Sequence, residues 1–177
     1  MADMTFNTPA GQTISREMLI LYLNTGTSDA PVWSALGKRV EDSSAEMDWA
    51  RETKNDILGN VYTTMKKPVI EQSFDPLHLD GGDAAAVKLW NLAVKDQDAA
   101  ALAAQDILVV HLYAGTNPTA AFAERYDGAA IEATSLGGEG GGSLGMPINV
   151  VYGGTRTIGT ASVADGVVTF KADAAAE

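Results

Sequence analysis

The chain reads mostly as short runs of β-character, with one interruption. After a polar stretch containing Pro9 and Gly11, "MLILYLNTG" predicts a first core strand from Met18 to Leu23, closed by Asn24 and Gly26. Beyond Pro31, Ala45, Met47 and Trp49 alternate with Glu46, Asp48 and Ala50. That period of two predicts a half-buried strand with Met47 and Trp49 facing inward. "TKNDILGN" ends on a Gly59-Asn60 turn signal and "VYTTMKKPVIEQSFD" resumes the β-pattern, so residues 38 to 75 are expected to form one long hairpin with a polar tip. The interruption is "DGGDAAAVKLWNLAVKDQD", where Ala86, Leu89, Trp90, Ala93 and Val94 share one helical face and Asp80 or Asp83 can cap the start.

The alanine-rich "DAAALAAQ" is read as a loop, and "DILVVHLYAG" as a strand covered on both faces, because both of its alternating sets are apolar. Five further β-runs follow: "AAFAERYDG", "AIEATSLGG", "MPINVVYGG", "TRTIGTASVA" and "VVTFKAD". Asp165-Gly166 between the last two predicts a two-residue hairpin turn, whose central positions need positive φ. About eight strands and one helix define a mainly β (α+β) fold, expected as an antiparallel sandwich or barrel.

Composition refines this picture. At 177 residues, with 46% apolar and 20% charged side chains, the chain is expected to be one folded domain, residues 1–177, with an extended N-terminal arm over 1–16 and a flexible tail over 172–177. Eighteen glycines and clustered alanines leave few large side chains for a core, which favours short strands and support from neighbouring subunits. A formal charge of −11 argues against a surface built to neutralise phosphate. Without cysteine there is neither a disulfide framework nor a thiolate metal site, and His78 and His111 are too few for a zinc cluster. No secretory signal and no membrane-length apolar run is evident, so a cytoplasmic site of synthesis is expected.

Candidate chemistry is thin. Glu46, Asp48, Glu52 and Asp56 lie close in sequence, but paired acids need environments that separate their pKa values. An outward strand face reads instead as a solvated or contact surface. "GGEGGGS", residues 137 to 143, lacks the Gly-Lys-Ser/Thr ending of a phosphate loop and carries only Glu139, so it reads as a flexible connection. No Gly-x-Ser-x-Gly elbow accompanies either histidine, and His111 is expected to be a packed, hydrogen-bonded residue. No enzyme, no cofactor and no metal are expected.

The order of features carries more than any motif. A first strand, then Trp33-Ser34-Ala35-Leu36-Gly37-Lys38, then an acidic strand ending in "WARETKNDILGN", then "KKPVIEQSFDPLHLDGGD" entering a helix, resembles the major tail tube proteins of long-tailed bacteriophages over residues 17 to 152. The resemblance implies a two-sheet antiparallel β-sandwich or barrel with one flanking α-helix and a long polar hairpin loop. It also implies hexameric rings stacked into a tube, part of a virion assembled in the bacterial cytoplasm. The implied partners are further copies of the chain and the tape-measure, tail-tip and tail-terminator proteins, with DNA passing through unbound and no membrane involved.

On this reading the hairpin loop meets neighbouring subunits through Arg51, Glu52, Lys54, Asp56, Ile57 and Leu58, and the N-terminal arm is a second bridge between rings. Acidic groups facing the channel would keep DNA from adhering; Glu124, Asp127 and Glu132, taken from strand faces read as exposed, are the candidates. Tubes of contractile tails, tailocins and type VI secretion share the fold, so it does not name the machine. A small-ligand-binding β-barrel is the reading from another class.

Overall fold

The computed structural model describes residues 4–173. Eleven strands are present among them: β1 (Leu19–Asn24), β2 (Trp33–Ala35), β3 (Ala45–Asp48), β4 (Glu52–Asn55), β5 (Val61–Thr64), β6 (Val69–Phe74), β7 (Gln105–Thr116), β8 (Ala120–Ala133), β9 (Ile148–Val151), β10 (Arg156–Ala164) and β11 (Val167–Ala172). Helix α1 (Ala84–Trp90) continues as a wider π-turn over Asn91–Lys95, and α2 (Ala99–Leu102) follows. Every strand pairing is antiparallel.

Two sheets share β8. One runs β2-β1-β7-β8-β10-β11, and the other takes the second half of β8 into β9, β6 and β3. The transfer occurs where β8 bends at Gly128 against Gly153 and Gly154. A Cβ on Gly154 would stand 2.5 Å from the Gly128 nitrogen and 2.7 Å from its Cα, and Gly154 holds a φ of 73°. Only glycine admits both the close backbone approach and that conformation. Asp127 completes the junction by accepting a hydrogen bond from the Thr155 N–H at 2.6 Å.

Strand alternation fills two cores, one on each face of the larger sheet. Leu21, Leu23, Ile107, Val109, Ala129 and Ile131 join Phe74, Leu77, Leu89, Met146, Ile148 and Val150 between the two sheets and α1. Tyr22, Leu108, Val110, Ala121, Ala123 and Ala161 point the other way and pack with Trp33 and Val168. The dual apolarity read in β7 is thus that of a central strand lying between two cores, flanked by β1 and β8. The second core is lined by three alanines, so bulky Trp33, with Phe170 packed against the cluster, closes it from the edges.

Buried polar groups tie the parts together. Asn24 is 3% exposed; its side chain accepts from the N–H groups of Gly26 and Val32 and donates to Asp106, while its carbonyl accepts from Lys88 on α1. Asp106 also takes both arms of Arg125, at 2.9 and 2.8 Å. In the smaller sheet, Gln72 donates to Ser43 and accepts from the Tyr152 hydroxyl.

Most predicted elements are present: the first strand, the hairpin over 38–75, the helix and the Asp165-Gly166 turn, with φ of 49° and 78°. Asp83 caps α1 through the N–H groups of Ala85 and Ala86; Asp80 instead turns onto Gly82 and pairs with Lys38 at 3.0 Å. Three expectations are corrected. "DAAALAAQ" carries helix α2, because Asp98 caps it through the Ala101 N–H. The two runs between 120 and 133 are one fourteen-residue strand, bent but unbroken at Gly128. Met47 and Trp49 do not face a core: they are 56% and 43% exposed, because β3 is the outer strand of its sheet and both of its faces reach solvent. In the expected arm, Phe6 bridges Ala114 of β7 and Asn7 hydrogen-bonds to Tyr113 and Leu112. Of the expected tail, Ala172 ends β11, and residues 174–177 lie outside the described residues.

Ile107→Ala and Leu108→Ala, adjacent but in different cores, are each expected to lower unfolding free energy by about 2–5 kcal/mol in urea titrations. Gly154→Ala is expected to cost more than about 1 kcal/mol in the same assay, and Gly81→Ala, where a Cβ meets nothing within 4 Å, under about 0.5 kcal/mol.

Candidate functional site

The long hairpin stands out from a fold whose other elements are packed. Its base is β3 paired with β6, and its outer ribbon is β4 paired with β5. Between them four residues, Met65–Pro68, face only three, Trp49–Arg51, so the ladder breaks and the ribbon becomes a separate two-stranded sheet. Every residue of β4 and β5 is exposed. A two-stranded ribbon without a core is marginal in water, so its tip needs its own organisation.

Asp56 provides it. One carboxylate oxygen accepts the N–H groups of Leu58 and Asn60, both at 2.8 Å. The other accepts the Asn60 amide and the Tyr62 hydroxyl, both at 2.7 Å. The Tyr62 and Asn60 hydrogen bonds lower the Asp56 carboxyl to about 2. The loop is thereby a built turn, on which Ile57 is 102% and Leu58 82% exposed. Of the residues expected at an interface, Ile57 and Leu58 project freely, Glu52 and Lys54 pair with each other at 3.2 Å, Arg51 is exposed, and Asp56 is spent within the turn.

Below the ribbon lies an open cleft of about 800 Å³. Met47, Trp49, Met65 and Val69 of the hairpin form its walls, while Glu124, Tyr126, Tyr152 and Arg156 contribute a polar floor. Glu124 accepts from the Tyr126 hydroxyl at 2.7 Å and from Arg156 Nε at 2.8 Å. His111 Nε2 stands 3.3 Å from its other oxygen, a contact that becomes ionic when the ring is protonated. Burial pushes the Glu124 carboxyl up, but the contacts with His111, Arg156 and Tyr126 outweigh it and hold it at about 2. Burial, with Glu124 alongside, pushes the Tyr126 hydroxyl up.

Glu124 is therefore corrected as an exposed carboxylate: its side chain is 14% exposed and engaged on both oxygens. Asp127 is exposed but accepts from Thr155, and Glu132 is exposed on β8. Glu46, Asp48, Glu52 and Asp56 do not line the cleft. His111 is packed against Phe122 and hydrogen-bonded to Tyr113, as expected. Among the described residues no cluster of His, Asp and Glu could hold a metal ion, and no helix is long and apolar enough to cross a membrane. Sequence reading missed the cleft, whose floor and walls come from segments about 55 residues or more apart in the chain. It also missed the role of Asp56, for which Asp-x-x-Gly-Asn, with a side chain suited to accept turn N–H groups, was the available signal.

No family model matches the chain, and no curated protein matches it in sequence. Solved structures do match. The sheath/tube terminator of the extracellular contractile injection system PVC, in its extended state, aligns with a TM-score of 0.53 at 9% identity, over 85% of this chain and 99% of that one. The tube-terminating cap of the anti-feeding prophage aligns at 0.49 with 14% identity over 87% and 95%, and a chain of the extended PVC sheath-tube complex at 0.46 with 10% identity over 84% and 93%. The alignment at 0.53 establishes a likeness of fold to that sheath/tube terminator chain.

Asp56→Ala is expected to speed amide hydrogen exchange at Leu58 and Asn60 while leaving the thermal unfolding midpoint unchanged. Because the Asp56 pKa is depressed on folding, its contribution to the tip is complete above the ordinary carboxylate range and is lost as pH falls through about 2. Exchange-resistant tip amides in the alanine variant would overturn this role.

Proposed function

We propose that this chain is a structural, non-enzymatic subunit of a tail tube, assembling with copies of itself into stacked rings. One observation carries the reading: a preorganised ribbon projects Ile57 and Leu58 into solvent, 102% and 82% exposed. Exposed apolar side chains on an ordered turn mark a contact surface. On a fold shared with a tube terminator, the natural contact is the next subunit of a tube.

That likeness favours the tube apparatus of a contractile tail, tailocin or injection system. The order of features over residues 17 to 152 supports a second reading, the hexameric tube of a long-tailed phage. In either machine the expected partners are tape-measure, tail-tip and terminator proteins, and the tail-like particle is the place of action. The charge of −11 per subunit, repeated around a ring, would discourage DNA from adhering during passage, although screening confines each charge's reach to about 8 Å at physiological salt. Glu132 and Asp127 remain the candidates to face that channel. The ligand-barrel reading loses ground because the interior of the curled sheet is filled by Trp33, Leu108, Val110 and Val168.

Negative-stain electron microscopy of the purified protein across concentration, with its solution mass, is expected to show rings or hollow tubes. Elongating tubes support a tube subunit, isolated rings a terminator, and a monomer at every concentration overturns self-assembly. Deleting residues 52–58 is expected to leave a folded subunit by circular dichroism but to abolish stacking; tubes of normal length from that deletion would remove the hairpin from the assembly contact.

A further inference from the structure

Tip and cleft are complementary surfaces on one hairpin. The tip is a small apolar knob, Ile57 and Leu58, built on the Asp56 carboxylate, while Glu52 lies at the ribbon's root and pairs with Lys54. The cleft walls expose Met47, Trp49, Met65 and Val69, at 56%, 43%, 58% and 57%. Lys66 and Lys67, both exposed, add positive charge at its margin on a chain with nearly twice as many acidic as basic residues, while Arg156 in the floor is paired with Glu124. Methionine walls adapt to an inserted aliphatic side chain without requiring a rigid match.

The knob cannot fill the cleft of its own subunit. Eight residues separate Trp49 from Ile57, so at about 3.3 Å per residue the tip stands roughly 25 Å along the ribbon from the wall it would need to reach. The antiparallel β4–β5 pairing prevents the ribbon from doubling back.

We infer that the Ile57-Leu58 tip of one subunit seats in the Met47-Trp49-Met65-Val69 cleft of a second copy of this chain. The inference rests on the self-assembly reading and supplies the receptor that reading lacks. Knob and cleft are different surfaces, so the contact made one way is head-to-tail and its repetition closes a ring or extends a stack, whereas reciprocal exchange between two copies would stop at a dimer. Charge sets the approach: Lys66 and Lys67 draw in the ionised Asp56 under the knob, and burial of the apolar groups holds the tip.

The absence of cysteine allows a direct test on the full chain. Leu58→Cys and Val69→Cys are prepared as separate variants, with Val167→Cys, exposed on β11 away from the hairpin, as control. Mixing the first two under mild oxidation is expected to give the Leu58→Cys/Val69→Cys heterodimer as the dominant covalent product, resolved by peptide mass spectrometry. The Leu58→Cys/Val167→Cys mixture is expected to show only background. Lys66→Glu with Lys67→Glu in the Val69→Cys background is expected to suppress the cross-link. Leu58→Cys homodimers as the main product, or equal coupling to Val69→Cys and Val167→Cys, would overturn the inference. The wild-type chain, imaged in parallel, separates the two claims: rings or tubes without this cross-link leave the tube reading standing and remove the cleft, whereas the cross-link without rings upholds the cleft and removes the tube.

Discussion

The whole arrangement turns on a backbone crossing at which three glycines, Gly128, Gly153 and Gly154, allow one strand to belong to two sheets. Had β8 stayed straight, β9 would extend the larger sheet and the face of β7 that carries Ile107 and Val109 would lack its cover. The bend carries β9, β6 and β3 across that face and encloses the larger core with α1. It also decides where the long hairpin is rooted. The hairpin's base, β3–β6, is the outer part of the sheet that the bend redirects, so the crossing places the root of the ribbon beside Glu124, Tyr126 and Arg156.

The chain invests its order unevenly. Aliphatic side chains in β1 and β7 alternate into two cores, where Leu21, Leu23, Ile107, Leu108, Val109 and Val110 are at most 5% exposed. The hairpin has the opposite character: apolar side chains remain outside and hydrogen bonds supply the order. Asp56 holds the tip with four acceptances, a local device that works without a core because each bond closes within six residues. Such a segment gains little for its own subunit's stability. On the proposed assembly, a second copy covering it would offset its cost in exposed apolar surface.

The polar floor of the cleft belongs to the same logic. Glu124 stays ionised although largely buried, because Arg156, Tyr126 and His111 converge on it. A charge so fully engaged is rigid rather than reactive, and its ties between β7, β8 and β10 brace the sheet under the hairpin. Carboxylates in such a chain serve three different ends: capping at Asp83 and Asp98, turn-building at Asp56, and inter-strand bracing at Glu124. A count of acids in the sequence does not separate them.

Much of the fold was legible from local patterns because local physics decides it. The continuous apolar β-runs "LILYLN" and "DILVVHLYAG", the Asp-Gly turn at 165, the capped helix at 83 and the turn of the hairpin over 38–75 each follow from interactions within a few residues. The pattern misled where burial depends on distant partners. Met47 and Trp49 alternate as core residues do, yet an outer strand has no second layer to cover them. Glu124 alternates as a surface residue does, yet β7 and β10 bring His111 and Arg156 to it from 13 and 32 positions away. Sequence alone therefore determined the element types, the turns and the hairpin that could carry a contact. Tertiary structure alone decided which faces are dry, which carboxylates are free and where the cleft lies, because those depend on how β8 bends and on which strands that bend brings together.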